Sequence, residues 1–424
     1  MTYDAIIVGG RPAGASLAAR LGKRGAKVLL VDRSRFPSEP GVPSSPVMYQ
    51  AGLAILHELG VDADALAKVM EPISAIGFRY GDYFDTVIPV PRMWGIDHAH
   101  GVDRSGFDDL LWRHLDRFPS VERREGFSVR DVVRDRDGRV VGIVGRSRNG
   151  ESDEEFRARC VIGADGRFSL VARKVGAAVI EEETHYLSTA YHATWEGVPP
   201  FGRGANFDIH VTGRGLDLLT LPIGRGRMLV NTHERADRVE IGGDAQAYYL
   251  ATIAKAPAVH ARLRDAKQVS KVVGLRSIGN GYRRAGGPGW ALVGDAVHYK
   301  DPVDGQGMYD ALLGARILDA SLAAWLVGAR SWEGSVAEYE RELHAETHDM
   351  FVETVARVRK ELYSEPPPLI IKTLIRWAMT DPIYQERFVR YIGRAIPAKG
   401  WNSPRMLAAA AWRGLRRDLG LARG

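Results

Sequence analysis

Trp290–Leu326 reads WALVGDAVHYKDPVDGQGMYDALLGARILDASLAAWL, and its three parts decide the architecture of the chain. Trp290–Val293 is a short apolar strand, Asp295, Pro302 and Gly305 lie in an irregular loop, and a long apolar helix follows. The helix opens at Gly305-Gln306-Gly307, where unpaired backbone N–H groups and the positive end of the helix dipole meet a ligand. An Asp at a strand end accepts hydroxyl hydrogen bonds. Together the two features suit a molecule with a polyol chain and a partly anionic ring. An ordinary strand–loop–helix crossover has the same outline, and two other stretches separate the readings.

The first is at the start of the chain. Tyr3–Val8 is a buried strand, Gly9-Gly10-Arg11-Pro12-Ala13-Gly14 a turn, Ala15–Arg24 a helix and Lys27–Asp32 a second strand. Asp32 follows Gly14 by 18 positions, the spacing of dinucleotide-binding βαβ units, in which the acid accepts the adenosine ribose hydroxyls. Arg11 stands where the second glycine of G-x-G-x-x-G belongs. A guanidinium beside a pyrophosphate offsets the lost backbone approach. The second stretch is Gly163-Ala164-Asp165-Gly166-Arg167-Phe168-Ser169, which places Asp165 at the carboxyl end of a strand. Open α/β sheets bind ligands at such ends.

The remaining segments fall around these. Helices are expected at Val47–Leu59, Ala63–Val69 and Arg104–Phe118, strands at Ile73–Tyr80 and Thr86–Val90, and a hairpin turn at Asp137-Gly138. Alternating runs from Thr189 to Thr232 predict an antiparallel sheet. Lys271–Ile278 is read as a strand returning to the nucleotide-binding half, which is therefore discontinuous. After Leu326 the chain is helical, with a long amphipathic helix over Val336–Tyr363, a break at Pro366-Pro367-Pro368 and three shorter helices. The expected division is 1–72, 97–183 and 271–330 for nucleotide binding, 73–96 and 184–270 for a substrate-binding β-sheet domain, and 331–424 for a C-terminal helical region.

Composition excludes several classes. Net charge is +6 in 424 residues, with both signs interspersed and no basic run interleaved with aromatics, so nucleic acid is not an expected partner. The single cysteine, Cys160, excludes an internal disulfide and fits a reducing compartment. No stretch of 18 apolar residues predicts a spanning helix, no signal peptide precedes the first strand, and a cytoplasmic location is expected. Arg20-Lys23-Arg24 and Arg413-Arg416-Arg417 are the densest basic places and offer a surface for an anionic partner or a peripheral membrane contact.

The fingerprint ending in Asp32, the GADGRFS turn and the GDAVHYKDPVDGQG stretch together resemble the FAD-dependent monooxygenases of the para-hydroxybenzoate hydroxylase type, in the variant with a G-G-R turn. The resemblance covers roughly residues 1–330. It implies an α/β fold: a discontinuous FAD-binding Rossmann-like domain of the glutathione-reductase type, an inserted antiparallel β-sheet substrate domain and a helical C-terminus. By that likeness Gly9, Arg11, Ala13, Gly14 and Asp32 hold the ADP half of FAD, with Arg33 near the adenosine. Arg104 contacts the pyrophosphate or ribityl chain, Val129 the adenine, and Asp165 both FAD and nicotinamide. Asp295 binds the ribityl hydroxyls and Pro302 lies against the ring. Gly305, Gln306, Gly307 and Met308 present N–H groups to its pyrimidine edge. NAD(P)H is implied as transient reductant, with a separate flavin reductase as the other route. The expected reaction is hydroxylation or epoxidation of an aromatic, polyketide-like or isoprenoid molecule by O2, through a flavin C4a-hydroperoxide.

No catalytic acid or base is assigned, because the flavin makes the bonds. Candidate substrate-pocket residues are Tyr49, Arg79, Trp94, Tyr191, His192, Trp195 and His210. The principal alternative is a reductase of the geranylgeranyl-reductase type on the same scaffold. A halogenase is disfavoured because Trp94-Gly95-Ile96 does not make the W-x-W-x-I-P signature, and a non-catalytic flavin-binding module is the remaining alternative. His344 and His348 lie four apart on one helix face, with Glu346 between them. The sequence indicates no third or fourth ligand, so they are read as solvated polar groups and no metal is expected.

Overall fold

Val28–Asp32 is buried at every position, as a strand covered on both faces must be. It lies in a parallel array with Thr2–Val8, Val121–Glu125, Glu154–Gly163 and Trp290–Leu292, with Thr2–Val8 between Val28–Asp32 and Glu154–Gly163. Gly286–Gly287 and the hairpin Phe127–Arg134/Val140–Ser147 complete this eight-stranded sheet with antiparallel pairs. The computed structural model describes residues 2–202, 204–240, 242–364 and 369–421. The break read at Pro366-Pro367-Pro368 lies outside the described residues.

The helices are α1 (Pro12–Lys23), α2 (Gln50–Leu59), α3 (Ala63–Ala67), α4 (Arg104–His114), α5 (Leu170–Val175), α6 (Ala245–Ala254), α7 (Pro257–Arg262), α8 (Gly307–Leu326), α9 (Trp332–Leu362), α10 (Leu369–Met379), α11 (Pro382–Ile392) and α12 (Pro404–Asp418). Val47–Met48, expected to open the second helix, is instead a two-residue strand paired with Ala99–Val102. Tyr49 behind it is extended, which starts the helix only at Gln50. Gly101 in that pairing has no room for a side chain, since a Cβ would lie 1.6 Å from the Pro222 carbonyl oxygen. The small sheet is thereby pressed against the large second one.

That second sheet has nine strands: it runs from His298–Tyr299 through Val273–Arg283, Val179–Glu196, Arg227–Arg235, Leu216–Pro222, Phe207–Val211 and Ala75–Tyr80 to Phe84–Pro89, and Lys267–Gln268 pairs with Val179–Glu196 beside this path. Two expectations are corrected here. The strand expected to return to the nucleotide-binding half, Val273–Arg283, is hydrogen-bonded into the second sheet, as is Val179 at the start of its partner. The sheet is also antiparallel except where Phe207–Val211 meets Ala75–Tyr80 in parallel. No hairpin joins those two strands, so no turn dictates their direction.

Burial separates the layers. α1 and α8 cover the first sheet through residues such as Leu17, Leu21, Leu312 and Leu318. One face of the second sheet packs Tyr191, Trp195, Leu218 and Val230 against Tyr249 and Ile253 of α6. Its other face, with Phe207, Ile209, Leu219 and Leu221, meets Phe388, Val389 and Ile392 of α11. The C-terminal helices are thus part of the core. α9 is tied to the first sheet by the buried Tyr339 hydroxyl, which donates to the Leu292 carbonyl at 2.9 Å. Tyr339→Phe removes that bond and leaves the shape; we expect a cost of about 1–2 kcal/mol, read as a lowered urea midpoint at unchanged slope. An unchanged midpoint would contradict a net contribution from this bond.

Candidate cofactor-binding site

Among the described residues, seven helices begin with a side chain that accepts the free N–H groups of the first turn: Asp62, Asp103, Ser169, Asp244, Ser331, Asp381 and Ser403. α1, α2 and α8 have no such side-chain cap, and α7, which opens at a proline on the far side of the second sheet, has none either. The first three converge. A Cβ on Gly294 would stand 2.8 Å from Ala13 of α1, and one on Gly305 would stand 3.1 Å from Val47, just before α2. Uncapped starts leave donors that only solvent or a ligand satisfies. Gly14 permits the approach at α1, because a Cβ there would fall 1.8 Å from the Gly9 carbonyl oxygen. Gly305 has φ +64 and Gly307 is open and exposed, so the α8 start is bare backbone.

Beside α1, the fully buried Asp108 binds two guanidiniums. Arg11 pairs with it, and Arg104 reaches it at 3.1 Å. Arg11 also donates to Ser38 Oγ at 3.1 Å and to the Glu39 carbonyl at 3.1 Å. With Glu39 and the Arg227–Asp103 pair beside them the charges of this cluster balance, and what it offers an anion is guanidinium N–H donors held in place by Asp108. Asp32 accepts from the N–H of Gly10 at 2.7 Å and of Ser34 at 2.7 Å, which fixes its carboxylate at the strand end. Arg33 is exposed, and Val129 is half-buried on the neighbouring hairpin.

Asp165 has partners of its own at the strand end. Its oxygens accept from the Ser169 hydroxyl at 2.5 Å and from the N–H groups of Leu170 and Val171 at 2.7 and 3.1 Å, so it caps α5. Burial still pushes its carboxyl up. Asp295 is enclosed, and burial raises its carboxyl against the pull of Arg167. Pro302 starts a short 3-10 turn, and Gln306 is the N-cap residue of α8, ahead of buried Met308.

Sequence reasoning missed the residues that hold this loop. Arg283 donates to the Ala296 carbonyl at 2.9 Å and the Arg167 carbonyl at 3.0 Å, while Arg167 donates to Gly279 at 2.7 Å and to the Lys300 carbonyl. Asp310 of α8 lies 2.8 Å from Lys300 Nζ and 3.0 Å from Arg394. Burial raises the Asp310 carboxyl, but Lys300 and Arg394 outweigh it and hold it below the usual range. Arg394 also donates to Gln306 Oε1 at 3.0 Å, and Gln306 Nε2 donates to the Ile392 carbonyl at 2.6 Å. A residue just beyond α11 therefore fixes the start of α8. Only fold registration brings these residues together, and no local motif marks them.

Strand alternation divides the seven pocket candidates. Tyr49 and His192 lie toward the α8 start. Tyr191 and Trp195 point the other way, where Trp195 Nε1 donates to Tyr249 at 3.0 Å. Arg79 and His210 share that far side with Asp208, which Arg262 of α7 engages at 2.5 Å. Trp94 is half exposed, at φ +51. Period 2 fixes which residues share a face but not which face meets the ligand. Toward α8 there is a narrow slot, apolar along Val47, Tyr49, Ile209, Leu219, Leu221 and Ile392, with Gly305 at its edge and bordered also by Ser45 and by the buried ion pair of Arg357 with Asp304 at 3.0 Å. Ser45 Oγ, His192 Nδ1 and Asn231 Oδ1 are buried on this side with no partner. Uncapped helix starts, the guanidinium donors of Arg11 and Arg104 and orphaned polar atoms fit a long ligand with anionic, hydroxylated and planar parts.

Part of each basic cluster is engaged internally. Arg20 pairs with Glu58, Arg24 with Asp319 at 2.6 Å, and Arg413 with Asp381 at 2.6 Å. Among the described residues, no helix is long and apolar enough to cross a membrane.

Comparisons agree with this geometry. The profile of the family described as "FAD binding domain" matches residues 2–353. A 1H-pyrrole-2-carbonyl-[peptidyl-carrier protein] brominase of Pseudoalteromonas luteoviolacea is 26% identical, over 75% of this chain and 77% of its own. A rifampicin monooxygenase of Streptomyces venezuelae is 24% identical, over 93% of this chain and 78% of its own. The solved flavin-dependent brominase Bmp2 superposes with a TM-score of 0.77 at 20% identity, over 98% of this chain and all of its own, a likeness of fold.

Buried imidazoles give the chain an acid-side signature. Burial lowers His210 to about 4 and His298 to about 3, against about 6.5 in an unfolded chain. Between those values the folded state binds fewer protons, so stability present above pH 6.5 is lost as pH falls. We expect the urea midpoint to drop from pH 7 to 5, by up to about 1.4 kcal/mol per pH unit for each group. His210→Gln should flatten part of that slope, and a midpoint independent of pH would contradict neutral burial.

Proposed function

The chain belongs to the FAD binding domain family and is an FAD-dependent oxidoreductase, and on that premise we propose that it is a monooxygenase of aromatic, polyketide-like or isoprenoid small molecules. The observation that carries the reading is the apolar slot between the second sheet and the bare start of α8. A water-poor wall there suits oxygen chemistry that water would otherwise divert.

FAD, when bound, would supply the redox chemistry between NAD(P)H and O2. The protein's part is to bind, orient and shield. Arg11 and Arg104, oriented by Asp108, hold the pyrophosphate with the N–H groups of Ala13 and Gly14. Asp32 accepts the ribose hydroxyls, and Asp295 accepts those of the ribityl chain. The N–H groups of Gly307 and Met308 stabilise negative charge on the pyrimidine edge of the ring, reinforced by the α8 dipole. Leu219, Leu221 and Ile209 exclude water from the substrate side, and His192 and Asn231 offer the polar contacts that orient a substrate hydroxyl.

Screening compounds of these three classes for stimulated NAD(P)H oxidation tests the reading. We expect O2 to be consumed with the reductant and one atom from labelled O2 to appear in the product. Stimulated turnover that continues undiminished without O2 would instead support the reductase. Product formed only with added halide would support the halogenase. For the active compound, Leu219→Trp should raise KM at least tenfold with FAD content unchanged, because it fills the slot without touching the helix starts. An unaltered KM would place the substrate elsewhere.

A further inference from the structure

On α9, His344 and His348 share one helix face with their rings stacked 4.3 Å apart. The strand Val179–Glu196 brings Glu181 to them: its carboxylate lies 3.2 Å from His348 Nε2. One ligand atom from each of the three residues lies within 4.8 Å of the others. The ladder between this strand and Val273–Arg283 shifts register between Val179 and Glu181, and such irregularities re-aim a side chain. We propose that Glu181, His344 and His348 form a binding site for a divalent first-row metal ion of the zinc class.

The chemistry follows from the donors. Two imidazoles and a carboxylate suit Zn2+, Co2+ or Ni2+ and are poor ligands for Mg2+. Zinc–ligand bonds of about 2.1 Å set tetrahedral donors about 3.4 Å apart. The His348–Glu181 edge already has that length, and the exposed His344 closes the rest by turning about its own side-chain bonds. Tyr282 lies 5.5 Å from the His344 ring, and Phe351 stacks on His348 at 5.9 Å, so the ligands have an aromatic bed. Three protein ligands leave a fourth position. It adjoins a surface cavity of about 350 Å³ bounded by Ile180, Tyr282, Glu340, Arg341, Leu343 and His344, where water or a small anion completes the sphere. The spacing is H-x-E-x-H, not H-E-x-x-H. Ala345 occupies the position of a hydrolytic base, so the site binds metal without the metalloprotease arrangement. Occupied, it would fasten a strand of the second sheet to α9.

The test uses untagged, FAD-loaded full chain titrated with ZnCl2 in a calorimeter, and with CoCl2 followed by the visible absorption of tetrahedral cobalt. We expect one equivalent per chain, a raised Tm with Zn2+ and no response to MgCl2. Glu181→Gln and His348→Ala should each weaken Zn2+ binding at least tenfold, with FAD content and circular dichroism unchanged. Wild-type affinity in Glu181→Gln would overturn the site, since it would reduce the binding to the histidine pair alone. Absence of a stoichiometric heat in the wild type would overturn it outright. Should His348→Ala fail to fold, the Glu181→Gln comparison decides by itself.

Discussion

Asp310 sits inside the protein, 2.8 Å from Lys300 and 3.0 Å from Arg394, and the site depends on that triad. A buried carboxylate without partners would neutralise or unfold its surroundings; with two cations and their hydrogen bonds it becomes a fixed point. Lys300 belongs to the loop before α8, Asp310 to its first turn, and Arg394 to the chain just beyond α11. The triad therefore sets where the first N–H groups of α8 point. Arg394 continues to Gln306, whose amide reaches the Ile392 carbonyl, so the helix start is braced by side chains that leave its own backbone donors bare. The C-terminal helices thus belong to the site as much as to the core.

The second constraint is the division of labour between the two faces of the nine-stranded sheet. One face is sealed by α6 and α7 with aromatic packing and the Trp195–Tyr249 hydrogen bond. The other carries an apolar wall together with two unpartnered buried atoms, His192 Nδ1 and Asn231 Oδ1. Buried polar atoms lack partners on both faces, Asp208 Oδ1 and Thr220 Oγ1 on the side of α6 and α7 among them, but only those on the other face stand beside the slot and the α8 start, where a ligand would recover the lost hydrogen bonds.

Much of this was legible in the sequence, for local reasons. The turn Gly9–Gly14 with Asp32 behind it, and Asp295 ahead of Gly305-Gln306-Gly307, are patterns whose spacing is set by backbone geometry within a few residues. Helix boundaries from Pro382 to Asp418 were likewise readable from prolines and periodicity. What escaped depends on registration over long distances. Arg394 and Asp310 are 84 positions apart, and Glu181 and His348 are 167 apart. Tyr191 and Trp195 were chosen for their aromaticity, but parity along a strand does not say which face meets the cofactor.

The family membership and the geometry meet in one claim, that three converging stretches of backbone hold a single FAD. The most direct measurement is titration of flavin-free protein with FAD, followed by flavin fluorescence and visible absorbance. The account predicts saturable uptake of one FAD per chain, with a flavin spectrum that stays with the protein through gel filtration. A colourless protein that leaves added FAD free in solution would contradict it.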